Sequence, residues 1–167
     1  MTPAAVLLAL VTAERIAELA FARRNTVALL ARGAREAAPG HYPAIVAVHS
    51  LWLAGLWTLG WDQPVDPRWL AAFLAVQGLR LWVLRTLGRR WTTRIIVVPG
   101  ERLVARGPYR FVAHPNYLVV VAEIAILPLC LGLPLYALIF SAMNAVVLAI
   151  RIRAENAALA GSRNVAA

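Results

Sequence analysis

The chain has 167 residues, 61% of them hydrophobic, and a mean hydropathy of +0.68. Soluble domains stay near about 45 to 50% apolar, so a water-soluble globule is excluded and an all-α integral membrane fold is expected. The formal charge of +9, carried by 17 basic residues that are all Arg, does not point to nucleic acid: a nucleic-acid binder gathers its basic residues on a folded polar face, and these stand between long apolar runs. Cys130 is the only cysteine, so an intrachain disulfide or a Cys-based metal site cannot form, and no metal is expected.

Crossing a hydrocarbon core of about 30 Å takes roughly 20 mostly apolar residues. Five stretches qualify, at about 3–21, 42–60, 67–86, 115–132 and 134–153, and predict one membrane domain of five transmembrane helices with a cap over about 87–114. The first stretch lacks a basic leader and contains Glu14, Arg15 and Glu18, so it reads as a retained helix and not as a cleavable signal. The last two stretches join through Leu131-Gly132-Leu133-Pro134, where Gly and Pro stop one helix and start the next, predicting a tight hairpin.

Orientation follows from the Arg residues, because basic loops stay cytoplasmic. Arg23, Arg24, Arg32 and Arg35 lie in the first loop; Arg85, Arg89, Arg90, Arg94, Arg102, Arg106 and Arg110 in the third; Arg151, Arg153 and Arg163 in the tail. The N-terminus is therefore expected outside, and the C-terminus and cap in the cytoplasm. Topology together with anionic lipid headgroups accounts for the basic charge.

Charges inside the expected spans need partners, since each costs on the order of 2.5 to 3.5 kcal/mol near the bilayer centre. Glu14 and Glu18 are four apart and share a helix face; Arg80 in the third span is their expected partner, whereas Arg15 is expected to point away from both. Sequence offers Glu123 no partner. His49 and Asn144 read as hydrogen-bonded core residues.

The polar stretch from Arg85 to His114, about thirty residues, is long for a connection, and connections of that length are usually functional. Its middle, Trp91 to Gly100, is a β-branched run ended by Pro99-Gly100, which predicts a short strand. Gly107-Pro108 marks a turn. A residue before proline is pushed out of the helical region, so His114 should be extended and Pro115 should take the first helical position. That places His114 at a helix mouth, where unpaired N–H groups and a positive dipole end suit an anionic group of a cofactor, with Tyr109 and Tyr117 as aromatic surfaces. In the tail, Arg151 and Glu155 share a face. A tight hairpin brings that face level with His114, though a surface ion pair and a simple helix cap account for the same residues.

The run from Leu103-Val104 through Gly107-Pro108-Tyr109-Arg110 to His114-Pro115-Asn116-Tyr117, followed after a hairpin by Arg151 to Glu155, resembles the isoprenylcysteine carboxyl methyltransferase family, and most of all its short bacterial branch, which includes alkylpyrone methyltransferase-like proteins. The resemblance implies an S-adenosylmethionine-dependent O-methyltransferase acting on a carboxylate or hydroxyl of a lipophilic substrate that enters from the bilayer. Carried over by position, Leu103, Val104, Tyr109, His114, Pro115, Asn116, Tyr117 and Glu155 bind the cofactor, and Arg151 is catalytic, facing the substrate. The chain departs from the family pattern at Ala113, where relatives carry Arg, at Asn156, where they carry an acidic residue, and at Glu101, which is His in eukaryotic relatives. Arg110, one turn away, is the expected substitute for the missing Arg. A membrane sterol-type reductase using NADPH shares the His-Pro-Asn-Tyr ending, and a non-catalytic lipid-binding membrane protein is the reading from another class.

Overall fold

A computed structural model describes residues 1–101 and 104–164. Five helices carry the fold: α1 (Pro3–Ala31), α2 (Tyr42–Leu59), α3 (Pro67–Leu87), α4 (Pro115–Cys130) and α5 (Pro134–Asn164). The second, third and fourth start where expected, each of the third and fourth with Pro in its first turn. Two helices are longer than the apolar runs that announce them. α1 passes position 21 and reaches Ala31, because no glycine or proline interrupts Phe21 to Ala31 and a change of polarity alone does not end a helix. It stops beside Gly33, whose φ is +86°. α5 likewise continues past 153 as 31 helical residues, a length of about 46 Å at helical rise.

Among the described residues, three helical segments are long and apolar enough to cross a membrane: Tyr42–Leu59, Pro67–Arg90 and Pro134–Ala158. α4 is apolar but has 16 residues, about 24 Å at helical rise, and α1 carries five charged residues between Glu14 and Arg24. Many large apolar side chains face outward, among them Leu10, Leu135, Leu138 and Val146, a surface suited to lipid and not to water. The chain is a membrane protein.

α4 is the central element, packed on α3 and α5. Its Ile124, Leu127 and Cys130 join Leu8 of α1, Trp52 and Leu56 of α2, and Phe73 of α3 in one core. The predicted hairpin is present: the Leu133 N–H donates to Pro128 O at 3.0 Å and the Gly132 N–H to Leu129 O at 3.2 Å. The expected strand in the cap is two residues long, β2 (Ile96–Val97), and pairs antiparallel with β1 (Arg35–Glu36) from the first loop, a partner that local patterning did not indicate.

The buried charges gather into one network. Arg80, 2% exposed, donates to Glu18 at 2.8 and 3.0 Å and to both oxygens of Glu123. Glu123 also accepts from Arg15 at 3.0 Å and Gln77 at 2.8 Å. Arg15 does not point away from the carboxylates: it reaches Glu18 at 3.0 Å and Glu14 at 3.5 Å. Its long side chain carries the charged head well away from the direction of its Cα–Cβ bond, so its place on the helical wheel did not fix its partner. Of the two carboxylates assigned to Arg80, Glu18 makes the contact, and Glu14 is paired with Arg15.

Candidate functional site

The site is assembled from the cap, the start of α4 and the second half of α5. Gly107 opens the turn Gly107–Arg110 with φ +58°, and a β-carbon there would collide with Oγ1 of Thr86. The motif therefore needs glycine both for its left-handed backbone and for its closeness to α3. Pro108 is buried, and Tyr109 packs against the cluster of Ala22, Val83, Trp91 and Val119. Burial, with the Glu155 charge adding to it, pushes the Tyr109 phenol up to about 12, so it stays a hydrogen-bond donor at neutral pH.

His114 precedes α4 with φ −130° and ψ 64°, and its side chain makes no capping bond. Pro115 is buried in the first turn. The mouth offers fewer free donors than expected, because Pro115 has no N–H and the Tyr117 N–H donates to His114 O at 3.1 Å. The His114 ring stacks on Tyr117, with centroids 4.9 Å apart and planes 20° apart, and its Nδ1 lies 3.7 Å from Glu155 Oε2.

Tyr117 joins the two halves. Its hydroxyl donates to Glu155 Oε2 and accepts from Arg151 Nε at 3.0 Å. Arg151 Nη1 donates to Thr93 O at 2.8 Å, which ties α5 to the cap. Arg151 and Glu155 are thus bridged by a phenol and do not form the direct surface ion pair that their i,i+4 spacing also allowed. Asn116 Oδ1 is buried without a hydrogen-bond partner among the described residues.

Tyr117, Asn116 and Arg151 are also in the wall of a cavity of about 240 Å³ that runs between the helices, past Ile45, Val46, Val120 and Leu148, to Arg15, Glu18, His49 and Asn144. Two of its lining residues, Leu19 of α1 and Val46 of α2, are 51% and 42% exposed. His49 bonds within its own helix, Nδ1 to Ile45 O at 2.9 Å, as a core histidine would, yet both it and Asn144 line this cavity.

The structure thus brings together His114, Asn116, Tyr117, Arg151 and Glu155, with Tyr109 and Pro115 packed beneath them. Val104 is half-buried and does not line the cavity, and Leu103 lies outside the described residues. The guanidinium of Arg110 sits over the Phe111 ring, 4.4 Å from the centroid, while Ala113 is exposed. Glu101 pairs with Arg32 at 2.8 Å and with Arg90, outside the site. Sequence reading missed Thr93, Tyr42 and Asn25. Tyr42 bonds Thr93 Oγ1 at 3.0 Å, and the Asn25 amide donates to Gly88 O at 3.1 Å and Trp91 O at 2.9 Å, holding the cap on α1. An α1 that continued to Gly33 was the signal that would have put Asn25 on a helix.

No solved structure matches the chain. It is 42% identical over 159 residues to the uncharacterized protein YpbQ of Bacillus subtilis (strain 168), an alignment covering 92% of this chain and 95% of that protein. The profile of the isoprenylcysteine carboxyl methyltransferase family matches residues 69–161, a stretch that holds most of α3, the cap, α4 and most of α5, and with them Tyr109, His114, Asn116, Tyr117, Arg151 and Glu155. The chain belongs to the isoprenylcysteine carboxyl methyltransferase family.

Proposed function

We propose that this protein is a membrane O-methyltransferase that uses S-adenosylmethionine and takes a lipophilic acceptor from the bilayer. The observation that carries the reading is the Tyr117 bridge, which couples Glu155 and His114 on one side to Arg151 in the wall of an apolar cavity on the other. One site is suited to a polar cofactor, the adjoining one to a lipophile, and they share a boundary.

The residues present fit the cofactor. The Glu155 carboxylate, held by the Tyr117 hydroxyl, suits its ammonium group. Asn116 Oδ1, buried without a partner among the described residues, suits an N–H donor, and the stacked His114 and Tyr117 rings offer a flat surface to the adenine. Tyr109, Pro115, Val104 and Leu103 complete the proposed binding set. When bound, S-adenosylmethionine supplies an electrophilic sulfonium methyl, which passes to the acceptor oxygen as the S–C bond breaks and the pair of electrons returns to sulfur.

Arg151 is the proposed catalytic residue. Two of its nitrogens are fixed by Tyr117 and Thr93, and Nη2, with no hydrogen bond among the described residues, remains for the acceptor. A guanidinium there orients a carboxylate or acidic enolate oxygen and favours its ionised form, so no strong base is needed. Alignment of this kind can supply roughly 7 to 11 kcal/mol for well-oriented reactants. Leu19 and Val46, which line the cavity and are exposed on the outer surface, mark the side from which a lipophile would enter, and the distribution of Arg supports five spans with the N-terminus outside and the site cytoplasmic.

Calorimetry in detergent with S-adenosylmethionine against NADPH tests the reading. Binding of the first is expected, lost in His114→Ala and Glu155→Ala and retained in Arg151→Ala, which instead removes methyl transfer. Tight NADPH binding without S-adenosylmethionine binding overturns it.

A further inference from the structure

The far end of the cavity is polar where an enclosure for a plain alkyl chain would be apolar. His49 Nδ1 is engaged with Ile45 O, which leaves Nε2 for the cavity as a hydrogen-bond acceptor when the ring is neutral. Asn144, 2% exposed, lines the same end from α5. Arg15 and Glu18 line it from α1, and two N–H groups in these walls, Arg15 Nε and Trp52 Nε1, have no hydrogen-bond partner among the described residues. A methylene chain laid here would leave these groups unpaired and separated from water, which is unfavourable.

Two helices give the distance from the proposed methyl-transfer site independently. Asn144 precedes Arg151 by seven residues on α5, and His49 follows Tyr42 by seven on α2, while Tyr42 and Arg151 both bond Thr93 at the near end. Seven residues at helical rise is about 10 Å. The polar end therefore lies about two helical turns from the oxygen that Arg151 would hold, with the apolar Ile45, Val120 and Leu148 between.

We propose that this end is a second recognition subsite: it binds a hydroxyl group carried about 10 Å along the lipophilic acceptor, donating to His49 Nε2 and accepting from the Asn144 amide. The proposal rests on the methyl-transfer reading for its first anchor, Arg151, and adds to it the class of acceptor: an amphiphile oxygenated at both ends of an apolar spacer, not a plain hydrocarbon tail.

Its test uses the full-length protein in detergent and tryptophan fluorescence as the binding readout, without cofactor, since Trp52 and Trp91 line the cavity. The probes are hexadecanoate and hexadecanoates hydroxylated beside the carboxyl, at mid-chain about 10 Å from it, or at the chain end. The mid-chain isomer is expected to bind about tenfold tighter than hexadecanoate, the worth of roughly one net hydrogen bond. Both His49→Phe and Asn144→Leu should abolish that preference; affinity for hexadecanoate itself in each variant reports that the cavity is intact. Equal binding of all four acids to the natural protein, or a preference that survives both substitutions, overturns the subsite. Failure of the underlying reading looks different: the preference persists, but no methyl is transferred to any probe when S-adenosylmethionine is added.

Discussion

Replacing Arg80 or Glu123 by Met tests the buried network, and the two single variants should behave very differently from the double one. Arg80 and Glu123 are 2% and 4% exposed, joined by two hydrogen bonds between α3 and α4. Arg80→Met strips Glu123 of both, leaving it Arg15 at 3.0 Å and Gln77 at 2.8 Å. Glu123→Met leaves Arg80 with Glu18 alone. Breaking a buried pair by removing one partner costs about 3 to 5 kcal/mol, whereas replacing both by apolar side chains of similar size is often neutral or stabilising. The double variant keeps a closed set here, because Arg15 still reaches Glu18 at 3.0 Å and Glu14 at 3.5 Å. We expect each single substitution to lower unfolding free energy by about 3 kcal/mol or more and the double to cost less than either, a coupling of at least about 3 kcal/mol. Unfolding in bicelles by titration with denaturing detergent, followed by circular dichroism, measures all four proteins on one scale. Additive losses would refute the reasoning, since they would mean that the two groups contribute through separate contacts.

Tyr117→Phe removes the bridge without emptying the space, so methyl transfer should fall about tenfold to a hundredfold, the worth of one hydrogen bond to a charged group, in an assay with labelled S-adenosylmethionine; an unchanged rate removes Tyr117 from the coupling. Gly107→Ala should destabilise the cap by about 1 to 3 kcal/mol through its left-handed backbone, with the contact to Thr86 adding to it, and Gly107→Ala combined with Thr86→Gly should recover part of the loss in thermal unfolding. Asn25→Leu leaves the carbonyls of Gly88 and Trp91 without their donor, at about 1 to 3 kcal/mol each. Hydrogen exchange in residues 88–95 should accelerate while that in α4 does not.

The site was partly legible because its two halves are locally encoded. Gly107-Pro108 and His114-Pro115 declare a turn and a helix start through backbone restrictions that act within a few residues. Leu131-Gly132-Leu133-Pro134 declares a hairpin so short that α4 and α5 must run side by side. Those two facts place His114 and Tyr117 near Arg151 and Glu155 before any contact is known. The apolar run of the first helix ends ten residues before the helix does, because a change of polarity does not stop a helix, and Asn25, whose amide fastens the cap, lies in that polar extension.

Sequence by itself determined the apolar helices, the turn chemistry and the level at which the motifs meet, since hydrophobic length, glycine and proline act on the backbone nearest them. Only the tertiary structure decided who pairs with whom. Glu123 finds Arg15 across 108 residues of chain, the Tyr117 hydroxyl sits between Arg151 and Glu155, Thr93 takes the guanidinium, and His49 and Asn144 share one cavity wall. A long polar side chain meets whatever packing brings within its reach, and packing is the sum of every helix contact in the bundle, not a property of any one segment.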